Sequence, residues 1–201
     1  MKQLLFALWL IAWASPFLRA QNLSPQEIRK AVNCLEKTRA DVLAATKGLT
    51  DAQWNYKPGP DRWSVAEVTE HIAASEDFLM NTIREKVMNA PGRTEPDDVK
   101  ALDELVLQKI PDRTAKAQAP EPLRPNNRFG SPQASLTHFT ESRAKTIEFL
   151  KKTKDLRLHA ADSPLGKKLD GYEWVLFIAA HSERHTKQIA EVKADPAFPK
   201  K

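Results

Sequence analysis

Cysteine is nearly absent from this 201-residue chain, whose single cysteine is Cys34. One cysteine cannot form an intramolecular disulfide, so the fold must rest on an apolar core in any compartment. Glycine is also scarce, with six residues, and Cys34 lies in a helical pattern without a histidine nearby in sequence. The composition therefore excludes a disulfide scaffold, suits one globular domain, and indicates a packing role for Cys34.

The chain also lacks a basic block. The formal charge is +5, and 29 basic against 26 acidic side chains remain when residues 1–20 are set aside. These charges alternate along the predicted helices, as on a solvated surface. The pattern excludes nucleic acid as the expected partner.

The amino terminus carries one apolar run that is too short to be a membrane span. Lys2 precedes the unbroken run Leu4–Ala14, and Pro16 then interrupts it. A span needs about twenty apolar residues, whereas this length is typical of a signal peptide. We predict a signal peptide at 1–20, cleaved after Ala20 or alternatively after Ala14, and a domain at 21–201. The protein would then be exported to the periplasm or secreted, without stable membrane insertion; an uncleaved membrane tether is the alternative.

Three capping boxes mark the starts of long helices. In each box a Ser or Asp precedes a glutamate by three residues, which satisfies two backbone donors reciprocally; the pairs are Ser24 with Glu27, Ser64 with Glu67, and Asp170 with Glu173. Apolar residues then recur at helical spacing, and a further stripe begins near residue 131. The chain is predicted to form helices over about 24–48, 64–90, 131–152 and 170–192.

The segments between these helices are polar and rich in proline. Residues 49–63 and 165–170 are predicted to be connecting segments, the latter a loop, and 91–130 a long excursion with one small helix around 101–110. Four helices with one apolar stripe each predict an all-α protein, an up-and-down four-helix bundle with a proline-rich excursion between helices two and three.

Three of the five histidines occupy apolar helix faces. His181 and His185 are four residues apart, so their side chains project one turn apart from one face of the last helix. His71 lies between Val68 and Ile72, at the edge of the apolar stripe of the second helix. If these helices adjoin, they direct three imidazoles into one pocket. The alternative is a pair of buried histidines with structural hydrogen bonds.

Three neutral imidazoles are a ligand set for zinc, nickel, copper or iron(II) that leaves a coordination position open. A metal-bound water in that position is a nucleophile at neutral pH. The sequence HSERH is not a zincin motif, because Ser182 follows the first histidine and Glu183 faces the other side of the helix.

Several nearby residues are candidates for supporting roles. Glu67 and Glu70 are candidates to orient an imidazole, although capping explains Glu67 as well. Gln188, one turn beyond His185, is a candidate hydrogen-bond donor to a ligand. His138 is a candidate fourth ligand, whereas His159 is expected to face solvent. Three glutamates are candidates for a general base only because they are close in sequence: Glu67, Glu70 and Glu76.

The chain resembles the DinB/YfiT-like superfamily, a group that is described as metal-dependent enzymes. The segment PGPDRWSVAEVTEHI is similar to the family's Trp-Ser helix start followed by a histidine, and LDGYEWVLFIAAHSERHTKQI to its final helix. LTDAQWNYKP after the first helix is a weaker match. The resemblance covers residues 22–195 and implies an up-and-down four-helix bundle, often a homodimer. It also implies zinc or nickel, held by the histidines that match His71, His181 and His185.

Export and resemblance together favour a metal-dependent hydrolase of a small molecule whose identity the sequence does not encode. A metal-binding or stress-related module without catalysis would use the same histidines. Some family members are thiol S-transferases, but exported enzymes lack a maintained supply of reduced thiols. Such a transferase would also need a basic pocket, for which four arginines are candidates: Arg93, Arg113, Arg124 and Arg128.

Overall fold

A computed structural model describes residues 22–93, 98–114 and 117–200. The predicted signal peptide at 1–20 lies outside the described residues. Within them the structure is mainly helical, with α1 (Pro25–Thr46), α2 (Asp51–Asn55), α3 (Val65–Thr82), α4 (Val99–Lys109), α5 (Pro132–Lys152) and α6 (Gly171–Lys193). A π-helical turn, Ile83–Val87, extends α3, and Glu121–Leu123 forms a 3-10 turn.

The predicted helix starts are confirmed by their caps. Ser24, Ser64 and Asp170 each accept a hydrogen bond from the backbone of the glutamate three residues on, and each glutamate bonds back to the cap. Ser131 caps α5 by the same type of bond to Ala134. Gly48 follows α1 with a φ of 68°, as expected for the glycine at a helix end.

The four long helices form a bundle, which confirms the predicted fold class. Helix α6 packs against α1 and α3, and α5 packs against the other sides of the same two helices. The core has one layer around Leu35, Ile83, Leu150 and Leu176. A second layer contains residues from the opposite ends of the same helices: Val42, Val68, Phe139 and Ile189.

These layers also establish the helix directions. The first layer takes the N-terminal halves of α1 and α6 and the C-terminal halves of α3 and α5, and the second takes the opposite halves. The four-helix bundle is therefore arranged up-down-down-up, because the consecutive helices α3 and α5 run parallel; the predicted up-and-down order does not hold at this pair. Parallel neighbours need a crossover connection, and the predicted excursion supplies it. Its small helix is observed as α4, and it passes along α6 and then α3.

Two short elements differ from the sequence-based expectation. Helix α2 lies in the segment predicted as a linker, where Thr50 and Gln53 form a further capping box. The predicted loop at 165–170 contains a strand, because β1 (Ala160–Asp162) and β2 (Lys168–Asp170) form an antiparallel hairpin. Strands of three residues are too short to show an alternating apolar pattern, so their pairing depends on the surrounding tertiary structure.

A buried cluster of charges joins this hairpin to the helices. The Arg157 guanidinium donates to Glu27 of α1, Asp103 of α4 and Asp170 at the start of α6. Glu173, on the first turn of α6, accepts from Arg93 at 3.1 Å. The cluster fastens the excursion to the end of the bundle opposite Trp54 and Val192. Of the helices described, none is long and apolar enough to cross a bilayer.

Candidate metal centre

The three predicted histidines meet at the contact between α3 and α6. The Nε2 atoms of His71 and His185 are 3.1 Å apart, and those of His185 and His181 are 3.2 Å apart. His71 is 3% exposed and His185 7% exposed, whereas His181 is partly open to solvent. Helix α6 packs beside α3, and this contact brings the rings of His71 and His181 to 5.2 Å from each other.

Hydrogen bonds at the Nδ1 atoms of His71 and His185 determine that their Nε2 atoms are the nitrogens left to bind a metal. His71 Nδ1 lies 2.9 Å from the carbonyl oxygen of Leu123, which can only accept, so Nδ1 carries the proton. His185 Nδ1 likewise donates to Gln188 Oε1 at 2.8 Å. In the neutral rings both Nε2 atoms then carry lone pairs that face each other. Two nitrogen lone pairs at 3.1 Å repel each other. A cation or a proton between the two Nε2 atoms would relieve this repulsion.

The spacing of these nitrogens fits a metal ion. Tetrahedral zinc with Zn–N bonds of about 2.0–2.1 Å places its ligand nitrogens about 3.3 Å apart. The observed separations of 3.1 and 3.2 Å are close to that value. Among the described residues, the group of His, Cys, Asp or Glu side chains able to share an ion consists of these three histidines. The donor set therefore fits a divalent metal with a coordination position left for another ligand.

The electrostatic environment keeps the imidazoles neutral, as metal ligation requires. Burial lowers the pKa of His71, and the charge of Arg128 lowers it further. The pKa values of His181 and His185 lie well below their usual range, because the surrounding protein desolvates both rings and the neighbouring imidazoles would repel a second positive charge.

Aromatic and hydroxyl groups that sequence reasoning missed surround the histidines. The Trp63 ring lies 5.0 Å from that of His71, and the Phe177 ring stacks parallel to that of His181 at 6.3 Å. The Ser75 hydroxyl lies 3.5 Å from His71 Nε2. The i, i+4 spacing of His71 with Ser75 and of Phe177 with His181 is the signal that places both pairs on shared helix faces.

The supporting residues have more varied roles than the sequence indicated. Gln188 contacts His185 as predicted, but it accepts the hydrogen bond. Glu67 caps α3 and pairs with Lys57. Glu70 binds backbone amides of the excursion instead of an imidazole, and Glu76 is buried in an ion pair with Arg143. None of the three glutamates therefore faces the histidines as a general base in the part of the chain that the structure describes.

The other histidines lie away from the centre. His138 Nε2 contacts the Asp77 carboxylate at 2.6 Å and its ring stacks on Phe129, so it is not a fourth ligand of the group. His159 was expected to face solvent, but it is half-buried and its Nδ1 contacts the Ala90 carbonyl, because the hairpin folds back over the end of α3. Cys34 packs, half-buried, against the first core layer as predicted.

Comparison with known proteins agrees with this architecture. Residues 35–189 match the model of the DinB superfamily. The uncharacterized protein YuaE of Bacillus subtilis (strain 168) is 28% identical over 165 residues, which cover 81% of this chain and 96% of that protein. A solved structure of YfiT from Bacillus subtilis is similar with a TM-score of 0.54 and 18% identity, covering 90% of this chain and 93% of that one. YfiT is described as a probable metal-dependent hydrolase with an unusual four-helix bundle topology.

The fold and the histidine group thus define a four-helix-bundle protein with a site suited to a divalent metal. The chain belongs to the DinB superfamily, since the family model matches most of its length.

Proposed function

We propose that this protein is a metal-dependent hydrolase of a small molecule, in which His71, His181 and His185 hold zinc or nickel. The observation that supports the proposal is the convergence of the three Nε2 atoms. Bonds at Nδ1 leave the Nε2 lone pairs of His71 and His185 facing this point. The partial exposure of His181 leaves an approach from solvent. The description of YfiT as a probable metal-dependent hydrolase supports the same class.

When bound, such a metal would supply Lewis-acid activation of water at neutral pH. The chain's own residues would position the substrate around it. Trp63 and Phe177 provide apolar surfaces beside the imidazoles. The Ser75 hydroxyl is near enough to the same point to hydrogen-bond a polar substrate atom. The three histidines serve as ligands, and the structure offers no carboxylate beside them among the described residues.

The contacts of the arginines do not favour a thiol transferase. Arg113 is held by Glu191 and Gln188, and Arg128 donates to Glu70 and to backbone carbonyls. Arg93 pairs with Glu173, and Arg124 donates to the carbonyl of Ala119. These guanidinium groups thus bind the protein itself, and a hydrolase needs no basic thiol pocket.

Elemental analysis tests the metal centre directly. The mature protein, purified without chelator or histidine tag, should contain about one zinc or nickel per chain. His181→Ala should lose most of it, while His138→Ala, outside the group, should retain it. A panel of small ester, amide and phosphoester substrates should then show turnover that a chelator abolishes and zinc or nickel restores. Metal bound without any turnover would favour the non-catalytic module, and a metal-free wild type after reloading would reject the centre.

Export remains part of the proposal. The apolar run at Leu4–Ala14 supports a signal peptide at 1–20, and the small-molecule substrate would then be met outside the cytoplasm. Amino-terminal sequencing of the protein recovered from fractionated cells checks it. A mature chain beginning at Gln21 is expected, whereas an intact Met1 in the soluble cytoplasmic fraction would reject export.

A further inference from the structure

The excursion between α3 and α5 is fastened to α3 by one buried carboxylate. Glu70 accepts hydrogen bonds from the backbone amides of Asn126, Asn127 and Arg128 at 2.9, 2.9 and 3.1 Å. The Arg128 side chain adds a charged contact at 3.3 Å. The three backbone amides surround the negatively charged Glu70 carboxylate and donate to it, and such charge-assisted bonds are strong. The conformation of residues 126–128 is therefore stabilised by Glu70.

The next residue along α3 continues the same attachment. His71 Nδ1 donates to the carbonyl of Leu123, whose side chain is buried against the bundle. The excursion thus supplies the acceptor that fixes the tautomer of one candidate metal ligand. Two adjacent residues of α3 thus contact the excursion in different ways. Glu70 binds the backbone of the excursion, and the excursion orients His71 through the Leu123 carbonyl.

A second contact connects the excursion to the other buried ligand. Arg113 binds the Glu191 carboxylate of α6 through Nε and Nη2, at 2.5 and 2.7 Å. Its Nη1 lies 3.4 Å from Gln188 Oε1, the atom that accepts from His185 Nδ1. A guanidinium only donates, so it favours the amide rotamer with the oxygen toward His185. With that amide reversed, an NH₂ group would face the Nδ1 proton.

We propose that the excursion is a positioning arm of the metal centre, whose Leu123 carbonyl and Arg113 guanidinium hold His71 directly and His185 through Gln188. This inference rests on the metal centre proposed above. Arg113 acts through Gln188 and is therefore a positioning residue. Since metal binding needs both imidazoles in the tautomer that the arm imposes, metal binding and docking of the arm stabilise each other reciprocally.

Zinc titration of the full chain tests the arm through Arg113. Outer partners of metal-binding histidines typically change affinity by about 10–100-fold. Arg113→Ala should weaken zinc binding about tenfold, whereas Arg124→Ala, on the same excursion and bonded to Ala119, should not change it. The double variant Arg113→Ala with Gln188→Glu should recover affinity, because either carboxylate oxygen can accept from His185 whatever its rotamer.

Hydrogen exchange supplies the reciprocal measurement. Zinc should slow exchange of the amides of residues 126–128 in the wild type, and His71→Ala should abolish that added protection. A wild type that binds zinc with unchanged protection, together with unchanged affinity in Arg113→Ala, would overturn the arm while leaving the metal centre intact. A wild type that binds no zinc would overturn both. Recovery in the double variant would exclude a merely structural role for Arg113.

Discussion

The guanidinium of Arg143 and the carboxylate of Glu76 form a two-bond ion pair in the interior of the bundle, with N–O distances of 2.9 and 2.7 Å. Both side chains are almost completely buried. Arg143 also donates to the Leu35 carbonyl, the Thr38 hydroxyl and the Ser182 hydroxyl. One arginine on α5 thereby contacts each of the other three long helices, beside the turn that carries His181.

Removing this arginine should destabilise the protein strongly. Arg143→Met leaves the Glu76 carboxylate buried and unpaired, and breaking such a pair costs about 3–5 kcal/mol. Urea unfolding in the presence of chelator measures this without a contribution from metal. Lys152→Ala, which removes an exposed pair with Glu148, is the control and should change the free energy of unfolding by less than about 0.5 kcal/mol. A fully stable Arg143→Met would show that the pair does not hold the bundle together.

Glu173 should make the protein less stable as the pH rises toward neutrality. Burial, and next the adjacent Asp170 carboxylate, raise the pKa of Glu173 to about 7, against about 4.3 in an unfolded chain. Between these values the folded state keeps a proton that the unfolded state has released, so stability falls with rising pH. From pH 5 to pH 8 the free energy of unfolding of Glu173→Gln should rise relative to that of the wild type by more than about 1 kcal/mol. The reason is that a pKa shift of one unit corresponds to about 1.4 kcal/mol.

Paired unfolding curves across that pH range check the Glu173 prediction. Glu148→Gln, at an exposed site, should track the wild type. If the free energy of unfolding of Glu173→Gln instead falls relative to that of the wild type as the pH rises, Arg93 and Arg157 keep the Glu173 carboxylate charged.

Gly171 should not tolerate a side chain. A Cβ at this first residue of α6 would lie 2.7 Å from Leu156 Cδ2 and 3.0 Å from the Leu156 carbonyl. Overpacking of this kind costs about 1–3 kcal/mol, so Gly171→Ala should lower the thermal midpoint. Gly59→Ala is the matched control, because its Cβ would make only an ordinary 3.6 Å contact with Arg62. Equal midpoints for the two variants would contradict the close approach of Leu156 to α6.

The hydroxyl of Ser75 should affect turnover more than metal content. Ser75→Ala removes a buried hydroxyl 3.5 Å from His71 Nε2 but no ligand nitrogen. We expect one metal per chain as in the wild type, and a fall in kcat/KM of about tenfold if the hydroxyl bonds the substrate at about 1.5 kcal/mol. Steady-state kinetics with elemental analysis separates the two effects; loss of metal would instead make Ser75 part of the support of His71.

The local features of this fold were predictable because they depend on neighbours in sequence. The caps at Ser24, Ser64 and Asp170 satisfy backbone donors within one turn, so the helix starts could be predicted to within a residue. The spacing of His181 and His185 likewise places both on one face in any helix. The hairpin from Ala160 to Asp170 was not predictable, because strands of three residues pair through tertiary context.

By itself the sequence determined the four helices, their apolar stripes and the shared face of His181 and His185, since each depends on contacts within a few residues. The tertiary structure alone decided that α3 adjoins α6, and so brought His71 to that pair across more than one hundred residues. The partners of Glu70 and Arg113 also depend on the tertiary structure. The local spacing of apolar residues does not indicate which surface a long crossover connection will cover.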